Sequence, residues 1–472
     1  MKEKLKYLCF VLVFFITVPW LTTSCWSDLE TNLPAAVGPT ITSISPESGE
    51  PGTIITLTGA RFGTDESKVR VRFNNTTDAT EIVSVTDSEI KVVAPIGFSD
   101  EIVNVRVFIS DQRVPTRYAN FYYTERFRPV ITSVPPTCFY NATIAISGTN
   151  FSPVKEDNIV KFGALEATVT EATETALTVK VPNLGTAASA DITVTKFDLM
   201  SNAVSINVDV DQNKIATTYD NWTTHTVRTG LVYKTTQLSL FGVDQRMYVL
   251  DVTLNESNIL GLGFSTNDKA TVDMCKDYDA VAGVNAGYFP FGGTVDKDPY
   301  IRINGQTVQA GHTGVSQLFT NSALLIHNNV ATVRKFTESG TNLNLVAADI
   351  PVTDAENIIV CGPMLVTDGE IDDIVHPTNS HNTSLTARTG LGVTADGKRV
   401  FMVVIDSGEG FAGMSTFQLA RVLQALGADN AMNFDGGGSS TMFVEGKGDN
   451  GRVNFPYGGT YQRPVRSVIY VK

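Results

Sequence analysis

The chain has 472 residues, of which 42% are hydrophobic and 18% charged, and its formal net charge is −13. This length predicts several domains, and the composition is typical of soluble globular proteins. The acidic balance argues against a nucleic-acid partner, because such proteins usually present a basic patch. A single basic pocket for a phosphate group is still compatible with this overall sign.

Residues 1–24 predict a secretory signal. Three lysines in MKEKLKY precede an apolar run from Leu8 to Leu21, which is shorter than a typical transmembrane helix. The small residues LTTS then precede Cys25, in a pattern that resembles the bacterial lipobox. We therefore expect lipidation of Cys25 and an outer-membrane lipoprotein that faces the periplasm or the cell surface. The alternative is simple signal cleavage near Ser24 that leaves a free thiol.

The later cysteines give no sign of a metal site or a disulfide framework. Cys138, Cys275 and Cys361 are widely scattered, without CxxC or Cys/His spacing. We expect them to be buried and to pack as small apolar side chains.

A pattern repeats after a linker at residues 25–39. ITSISPESGEPGTIITLTGARF, from Ile41 to Phe62, returns about ninety residues later as ITSVPPTCFYNATIAISGTNF, from Ile131 to Phe151. Both copies alternate apolar and polar residues, are rich in β-branched side chains, and are punctuated by Gly, Pro, Asn and Asp. This pattern predicts two antiparallel β-sandwiches, at residues 40–125 and 128–211. Gly59 and Gly148 are expected where a strand turns sharply.

The two copies resemble the IPT/TIG family of immunoglobulin-like domains. The opening I-x-S-[IV]-x-P and the later G-x-x-F motifs carry the resemblance. Such modules usually serve as spacers or as binding surfaces, and we expect a spacer here with ligand contact as the alternative.

Residues 212–472 combine strand-like runs with helical periodicity and predict one α+β domain, so the whole chain is predicted to be multidomain. In MSTFQLARVLQALG the apolar residues fall on one helical face. Ser415 and Gln418 have the spacing of a capping box, and Gly427 stands where a left-handed residue ends a helix.

The segment NFDGGGSSTMF follows a predicted buried strand. Glycines allow positive φ and close approach of a ligand, and such loops expose backbone N–H groups to anions. Asp435 stands at the entrance, Gly436, Gly437 and Gly438 follow, and Ser439 and Ser440 add hydroxyl groups. The alternative interpretation is a hairpin turn capped by an aspartate.

Other segments of this domain also combine glycines with polar or charged residues. GVNAGYFPFGG places Asn285 and Gly287 among small and aromatic residues. TARTGLGVTADGKRVFMVVIDSGEG contains Arg388 and ends in Asp406 and Glu409. Arginine offers a planar fork that matches phosphate oxygens, although a single arginine is more often part of a surface ion pair.

Together NAGYF, ARTGLGV, the block from Ile405 to Met442 and the terminal RPVRSVIYV resemble the phosphodiester glycosidase family. The resemblance covers most of Tyr233 to Lys472. It implies hydrolysis of the sugar–phosphate glycosidic bond in sugar-1-phosphodiesters, of N-acetylglucosamine type, with release of free sugar and a phosphomonoester. The expected partner is a glycan or envelope polymer that bears such links.

The residue chemistry suits this reaction. Phosphate is already an acidic leaving group, so a strong general acid is less needed than at an ordinary glycoside. What the site must supply is a held phosphate and a stabilised oxocarbenium-like carbon. The candidate catalytic residues are Asp435 as nucleophile or base, Arg388 on the phosphate, and Asp406 or Glu409 as second carboxylate. The candidate substrate-binding residues are Asn285, Gly287, Gly436, Gly437, Gly438, Ser439 and Ser440.

Two other activities and a metal site remain as alternatives. The chain could be a non-catalytic cell-surface glycan-binding lipoprotein, or could cleave the phosphate–oxygen bond on the other side. No cofactor is predicted, apart from a structural calcium ion that loop carboxylates could hold. The histidines His312, His327, His376 and His381 fit no strong ligand motif, and only His376 and His381, beside Asp372 and Asp373, form a cluster.

Overall fold

A computed structural model describes residues 38–99, 101–115, 119–124, 127–289, 299–310, 320–335, 354–373, 380–458 and 461–472. The predicted signal, Cys25, His312 and His376 lie outside the described residues. Among the helices that are described, none is long and apolar enough to cross a membrane. The chain divides into two compact units, residues 1–127 and 128–472.

The first unit contains the first predicted sandwich. Two sheets, with strand orders β1-β3-β7-β6 and β2-β10-β8-β4-β5, enclose one apolar core, and β9 pairs with β8. The strands described here are β1 (Thr40–Ser45), β2 (Ser48–Gly49), β3 (Ile54–Ala60), β4 (Val69–Phe73), β5 (Thr77–Asp78), β6 (Glu81–Val85), β7 (Glu89–Val93), β8 (Glu101–Ile109), β9 (Gln112–Arg113) and β10 (Asn120–Tyr123).

The second sandwich opens the second unit, and its strands join into one nine-stranded sheet instead of two separate sheets. Its strands follow the order β11-β13-β16-β15-β14-β17-β19-β12, with β18 on β17, around a second apolar core. The strands are β11 (Val130–Ser133), β12 (Thr137–Cys138), β13 (Thr143–Thr149), β14 (Asn158–Phe162), β15 (Leu165–Ala172), β16 (Ala176–Lys180), β17 (Ser189–Lys196), β18 (Leu199–Met200) and β19 (Val204–Val208).

The G-x-x-F motif has a different role from the predicted sharp turn. Gly59 lies within β3, where a Cβ atom would stand 2.0 Å from the Thr40 carbonyl oxygen and 2.4 Å from the Phe62 ring. Gly148 in β13 has the same surroundings, with the Phe151 ring 2.3 Å from a Cβ position. The glycine therefore admits an aromatic ring and a neighbouring strand, and the expectation of a sharp turn was wrong.

A helix connects the second sandwich to the rest of the unit. Helix α1 (Val210–Thr218) begins after Asp209, whose carboxylate caps the helix at Gln212 N. Asn213 Nδ2 donates to the Gly185 carbonyl of the sandwich at 2.6 Å. On the other side Gln212 Nε2 donates to Gln424 Oε1 at 2.6 Å, and Asp209 accepts from Arg421. The predicted boundary at residues 211 and 212 thus falls inside a helix that contacts both sides.

Three sheets follow α1 in the described residues, with orders β20-β21-β22-β33-β32-β35-β30-β31, β23-β37-β24-β36 and β26-β25-β29-β27-β28, and β34 pairs with β33. The described elements are β20 (Thr223–Arg228), β21 (Leu231–Leu240), β22 (Val243–Thr253), β23 (Leu260–Lys269), α2 (Thr271–Asp277), β24 (Ala282–Asn285), β25 (Tyr300–Ile303), β26 (Gln306–Ala310), β27 (Ser322–His327), β28 (Val330–Lys335), β29 (Asn357–Cys361), β30 (Met364–Thr367), β31 (Glu370–Ile371), α3 (Ser380–Thr383), β32 (Arg388–Val393), β33 (Arg399–Gly408), β34 (Phe411–Ala412), α4 (Thr416–Ala425), β35 (Asn430–Asn433), β36 (Met442–Val444) and β37 (Val465–Val471).

The domain is mostly β-sheet, and its helices are few and short in the described residues. The α+β character predicted from the sequence is therefore not confirmed. One apolar cluster lies on each face of the long sheet, and α4 belongs to the cluster that also contains residues of α1. Cys138, Cys275 and Cys361 are free and buried, as predicted.

Helix α4 matches its prediction closely. The Ser415 side chain accepts from Gln418 N, and the Gln418 side chain accepts from Ser415 N, so the capping box is complete. Gly427 follows with φ +96°. The helix packs directly on β32 because Gly390 and Gly392 leave room for it: a Cβ atom on Gly390 would stand 2.9 Å from Leu419 Cδ2.

We expect Ser415→Ala to lower the stability of the C-terminal domain by about 1 kcal/mol, because the amide of Gln418 loses its acceptor. The measurement is chemical denaturation followed on this domain's transition. Ser415→Asp keeps an acceptor at the helix start and should retain most of the stability. Equal loss in both variants would contradict the capping role.

Candidate functional site

The site begins where β35 ends. β35 is an interior strand, paired with β32 and β30, and all four of its residues are buried. Phe434 is fully buried, whereas Asp435 is half-buried. Asp435 N donates to the Ala286 carbonyl at 2.9 Å. A rigid strand therefore delivers the aspartate to an accessible position.

The glycine loop after Asp435 packs on the start of β32. Gly437 N donates to the Ala387 carbonyl at 2.7 Å, and a Cβ atom on Gly436 would stand 2.9 Å from the same oxygen. Gly437 has φ +60°, the left-handed region that favours glycine. In the described part of the chain the amides of Gly436 and Gly438 donate to no protein acceptor. The loop thus leaves two N–H groups available to a ligand.

An arginine that the sequence did not single out lies over this loop. Atoms of the Arg463 guanidinium are 2.8–3.0 Å from where a Cβ atom of Gly438 would stand. Arg463 Nη1 lies 3.5 Å from Ser439 Oγ. Only glycine admits the guanidinium at this distance, so the loop and the arginine together form a positively charged surface beside Asp435.

Arg388 lies next to the loop but is largely committed to backbone carbonyls. Its Nε donates to Met414 O at 2.9 Å, and its Nη2 donates to His381 O at 2.7 Å and Ser384 O at 2.9 Å. A Cβ atom on Gly436 would stand 3.7 Å from Arg388 Cδ, so the two segments are adjacent as predicted. Burial lowers the pKa of the guanidinium. Only Nη1 has no protein acceptor among the described residues.

Asn285, at the end of β24, holds the loop, whereas Gly287 two residues further on is bonded to β37. Asn285 is fully buried; its Nδ2 donates to Asp435 O at 2.6 Å, and its Oδ1 accepts from Thr441 N at 3.0 Å. Gly287 N donates to Ser467 Oγ at 2.9 Å. The geometry thus has Asn285 positioning the backbone of Asp435 rather than facing a ligand.

Asp406 supports the far end of the loop. Its Oδ2 accepts from Tyr248 OH at 2.9 Å, and its Oδ1 accepts from Asn454 Nδ2 at 2.9 Å. Asn454 Nδ2 also donates to the Ser440 carbonyl at 2.9 Å. Burial raises the pKa of Asp406, although these donors act in the opposite direction. The carboxylate is 1% exposed, which favours a positioning role over direct contact with substrate.

Glu409 is the more accessible of the two additional carboxylates. Its side chain is 55% exposed and lies 3.4 Å from Arg246 Nη1. Its φ of +51° places it in the tight turn between β33 and β34.

A cluster of tyrosine, histidine and asparagine lines the other side of Asp435. Tyr288 OH donates to the Gly362 carbonyl at 2.7 Å and lies 3.1 Å from His381 Nε2. Asn433 Nδ2 donates to Tyr288 OH at 3.1 Å. Burial raises the pKa of Tyr288 well above its usual range, and the charge of Asp435 acts in the same direction. The sequence offered NAGYF as a motif, but nothing in it linked Tyr288 to His381.

An exposed tyrosine forms the rim. Tyr457 OH lies 3.0 Å from Thr386 Oγ1 and 2.9 Å from a Cβ position on Gly437. The residue is nevertheless 53% exposed. The hydroxyl is therefore fixed at the glycine loop while much of the side chain faces solvent.

The histidine cluster does not become a metal site in the described residues. No group of three or more His, Cys, Asp or Glu side chains there could hold a metal ion. Asp372 instead accepts from Lys335 Nζ at 3.0 Å and from Thr367 Oγ1 at 2.9 Å. His376, the other predicted member, lies outside the described residues.

Comparison with known families gives two matches. Residues 278–472 match the phosphodiester glycosidase family, and residues 39–124 and 129–222 match the IPT/TIG domain. Both resemblances inferred from the sequence motifs are confirmed. Strands β20 to β23 precede the first of these matches, yet β22 pairs with β33 and β23 with β37, so they belong to the same sheets. Comparison with curated protein sequences gives no match.

Among solved structures, similarity is found to the zebrafish N-acetylglucosamine-1-phosphodiester alpha-N-acetylglucosaminidase catalytic domain auto-inhibited by its pro-peptide. It covers 52% of this chain and 85% of that one, with 19% identity and a TM-score of 0.41. A putative exported protein from Burkholderia pseudomallei shows 14% identity and a TM-score of 0.33, over 73% of this chain and 98% of that one. The Bacteroides ovatus mixed-linkage glucan protein SGBP-B shows 13% identity and a TM-score of 0.18, over 79% of this chain and 78% of that one.

Proposed function

We propose that residues 212–472, which include the phosphodiester glycosidase match, hydrolyse the glycosidic bond between a sugar C1 and phosphate in sugar-1-phosphodiesters. The observation that carries the proposal is the pairing of a half-buried aspartate with a cationic cradle. Asp435 leads directly into a loop whose Gly436 and Gly438 amides are available and on which the Arg463 guanidinium lies.

The cradle binds the phosphate. A phosphodiester carries one negative charge, and backbone amides plus a guanidinium satisfy its oxygens with charge-assisted hydrogen bonds. Arg463 is the principal cation in this assignment, and the Nη1 group of Arg388 is a second donor from the other side of the loop. The cradle also stabilises the phosphate as it leaves, which is when its charge grows.

Asp435 acts at the sugar. As nucleophile it attacks C1, the bond from C1 to the phosphate oxygen breaks, and water then hydrolyses the ester between the sugar and Asp435. As base it takes a proton from a water molecule that attacks C1 directly while the same bond breaks. Of the additional carboxylates, exposure favours Glu409 over Asp406 for contact with substrate. Asn285 and Asp406 act indirectly, because their side chains fix the two ends of the loop that carries the reacting groups.

The decisive experiment incubates the protein with N-acetylglucosamine-1-phosphodiesters and with matched glucose and mannose compounds, and identifies the products. Free sugar plus phosphomonoester supports the proposal. Release of sugar-1-phosphate would instead establish cleavage of the phosphate–oxygen bond. Retention of the glycan without turnover would establish the glycan-binding alternative.

The natural setting in this proposal is the cell envelope, where Cys25 anchors the chain by a lipid and the substrate is an envelope or host glycan. The lipobox-like residues before Cys25 support it. Labelled palmitate should enter the wild-type protein and not Cys25→Ala; equal labelling of both would refute anchoring at this residue.

Tyr457→Ala should raise KM about three- to tenfold and leave kcat nearly unchanged, since a rim aromatic packs against substrate in the ground and transition states alike. Tyr457→Phe should stay close to wild type, because it keeps the ring. Tyr461→Ala is the control, since Tyr461 is 73% exposed. A loss of kcat in Tyr457→Ala with KM unchanged would contradict this role.

A further inference from the structure

We propose that the outer face of the first sandwich is a second binding site, for phosphate groups repeated along an anionic polysaccharide. The face consists of Arg70, Arg72, Arg106, Phe108 and Arg113, hereafter the basic face. The choice of phosphate over other anions rests on the function proposed above; the site itself rests on the geometry below.

Strand alternation and register bring these side chains together. Val69, Val71 and Phe73 of β4 are buried in the core, so Arg70 and Arg72 point outward. Across the sheet Arg70 is opposite Phe108 and Arg72 is opposite Arg106. Arg113 of β9 is opposite Phe108 on its other side. Three adjacent strands thus place four guanidinium groups around one aromatic ring.

The basic face carries uncompensated positive charge on a chain whose net charge is −13. Arg70 pairs with Asp111 at 3.1 Å and Arg72 with Asp78 at 2.9 Å. Arg106 bonds to the neutral side chain of Asn75, and within the described residues neither Arg106 nor Arg113 has a carboxylate partner.

The sheet bears a cost for this arrangement. Like charges directly opposite each other on a sheet are destabilising, and Arg72 faces Arg106. The buried Nε atoms of Arg70 and Arg106 also lack hydrogen-bond partners. The Arg70 and Arg72 guanidinium carbons lie 4.9 Å and 5.6 Å from the centre of the Phe108 ring, which fixes both groups in place. Because these arginines destabilise the sheet, their presence points to a ligand that they bind.

The second sandwich shows that the fold itself does not require the arginines of the basic face. In the second repeat VRVRF becomes NIVKF, which places Ile159 and Lys161 where the first has Arg70 and Arg72. The registers β14 to β17 and β17 to β18 then place Thr193, Thr195 and Met200 where the first has Arg106, Phe108 and Arg113. Four arginines in one copy therefore correspond to a single cation in the other.

The geometry indicates a ligand with several anionic groups. Each guanidinium presents a planar fork that fits the two free oxygens of a phosphodiester, as it also fits those of a carboxylate. Neighbouring strands are about 4.8 Å apart, and alternate residues of a strand about 6.6 Å apart, so one small anion cannot engage all four groups. A polymer with phosphodiester links along its backbone can, and such a polymer is also a natural carrier of the substrate class proposed above.

The test measures binding of the full secreted chain to a poly(glycerol phosphate) polymer, with polygalacturonate and neutral dextran as comparison polymers. Arg106→Thr/Arg113→Met introduces the residues that the second sandwich already tolerates at these positions. We expect this double variant to weaken binding of the phosphate polymer about tenfold, and the wild-type affinity to fall as salt is added. Lys155→Met/Lys161→Thr removes the same charge from the second sandwich and should bind like wild type.

The outcomes separate this site from the catalytic one. The double variant should hydrolyse a small soluble sugar-1-phosphodiester at the wild-type rate. If the wild-type protein does not hydrolyse this compound, the proposed activity is refuted, but the proposed polymer-binding site is not. Unchanged polymer binding in the double variant would overturn the basic face. So would equal affinity for polygalacturonate, or tighter binding to DNA or to anionic lipid vesicles than to the phosphate polymer.

Discussion

Asp435→Asn is expected to lower kcat on a sugar-1-phosphodiester by about a thousandfold, with substrate affinity nearly kept. The substitution is isosteric, and the backbone groups of Asp435 keep their bonds to Ala286 and Asn285. It removes the lone charge that attacks C1 or activates water, and leaves the cradle for the phosphate intact. Initial rates over a range of substrate concentrations measure both parameters.

Asp429→Asn is the matched control, because Asp429 stands at the opposite end of the same strand. Its carboxylate accepts from Asn430 Nδ2 at 2.7 Å and contacts none of the loop residues. This variant should keep near wild-type turnover. If Asp435→Asn also retained turnover while folding normally, Asp435 would not be the reacting carboxylate.

Arg463→Met should lower kcat/KM by about a hundredfold or more, because the guanidinium would be lost where the phosphate charge develops. Arg463→Lys should keep only part of the wild-type kcat/KM, since an ammonium group cannot present two parallel donors. Arg466→Met is the control: Arg466 lies three residues further on, in β37, and pairs with Asp268 at 2.8 Å on the surface. Similar losses in the Met variants of Arg463 and Arg466 would refute a specific role for Arg463.

Gly438→Ala tests the same contact from the loop side. A methyl group there would meet the guanidinium at 2.8–3.0 Å, and a flexible side chain can move away without unfolding the domain. The expected result is a loss comparable to that of Arg463→Met, with little further loss when the two are combined. Additive losses would show that the glycine matters for another reason.

Local patterns predicted the elements that frame the site. The capping box at Ser415 and the apolar face of its helix fixed α4, because both are encoded within a few residues. The run before Asp435 is predicted to be a buried strand that leads into the glycines, and it forms β35. These features depend on neighbours in sequence, so the chain alone reveals them.

The identity of the arginine on the loop depends on neighbours in space. Arg388 directly precedes a glycine-spaced strand, and its sequence surroundings suit phosphate binding. In the structure, Met414, His381 and Ser384 supply the carbonyls that occupy most of its guanidinium. The terminal motif RPVRSVIYV was part of the family resemblance and contains Arg463, but only the packing of the folded chain shows that it meets Gly438.

The predicted glycines of β32 illustrate the same limit. The glycine-spaced run in ARTGLGV is a strand, as expected, but the sequence does not show that Gly390 and Gly392 make room there for α4. Asn285 and Asp406 are both buried, and their polar atoms bond to other protein groups: Asn285 to the backbone of the loop, and Asp406 to the Tyr248 and Asn454 side chains. This burial could not be read from residue type.

Helix α1 has a practical consequence for anyone who wishes to transfer the C-terminal domain to another protein. Its Asn213 is tied to the second sandwich, while Ile215 is fully buried in the apolar cluster that includes α4. Removing α1 together with the second sandwich would expose one side of that apolar cluster and leave the Arg421 guanidinium without Asp209. The smallest unit to transfer is therefore residues 128–472, which includes the second sandwich.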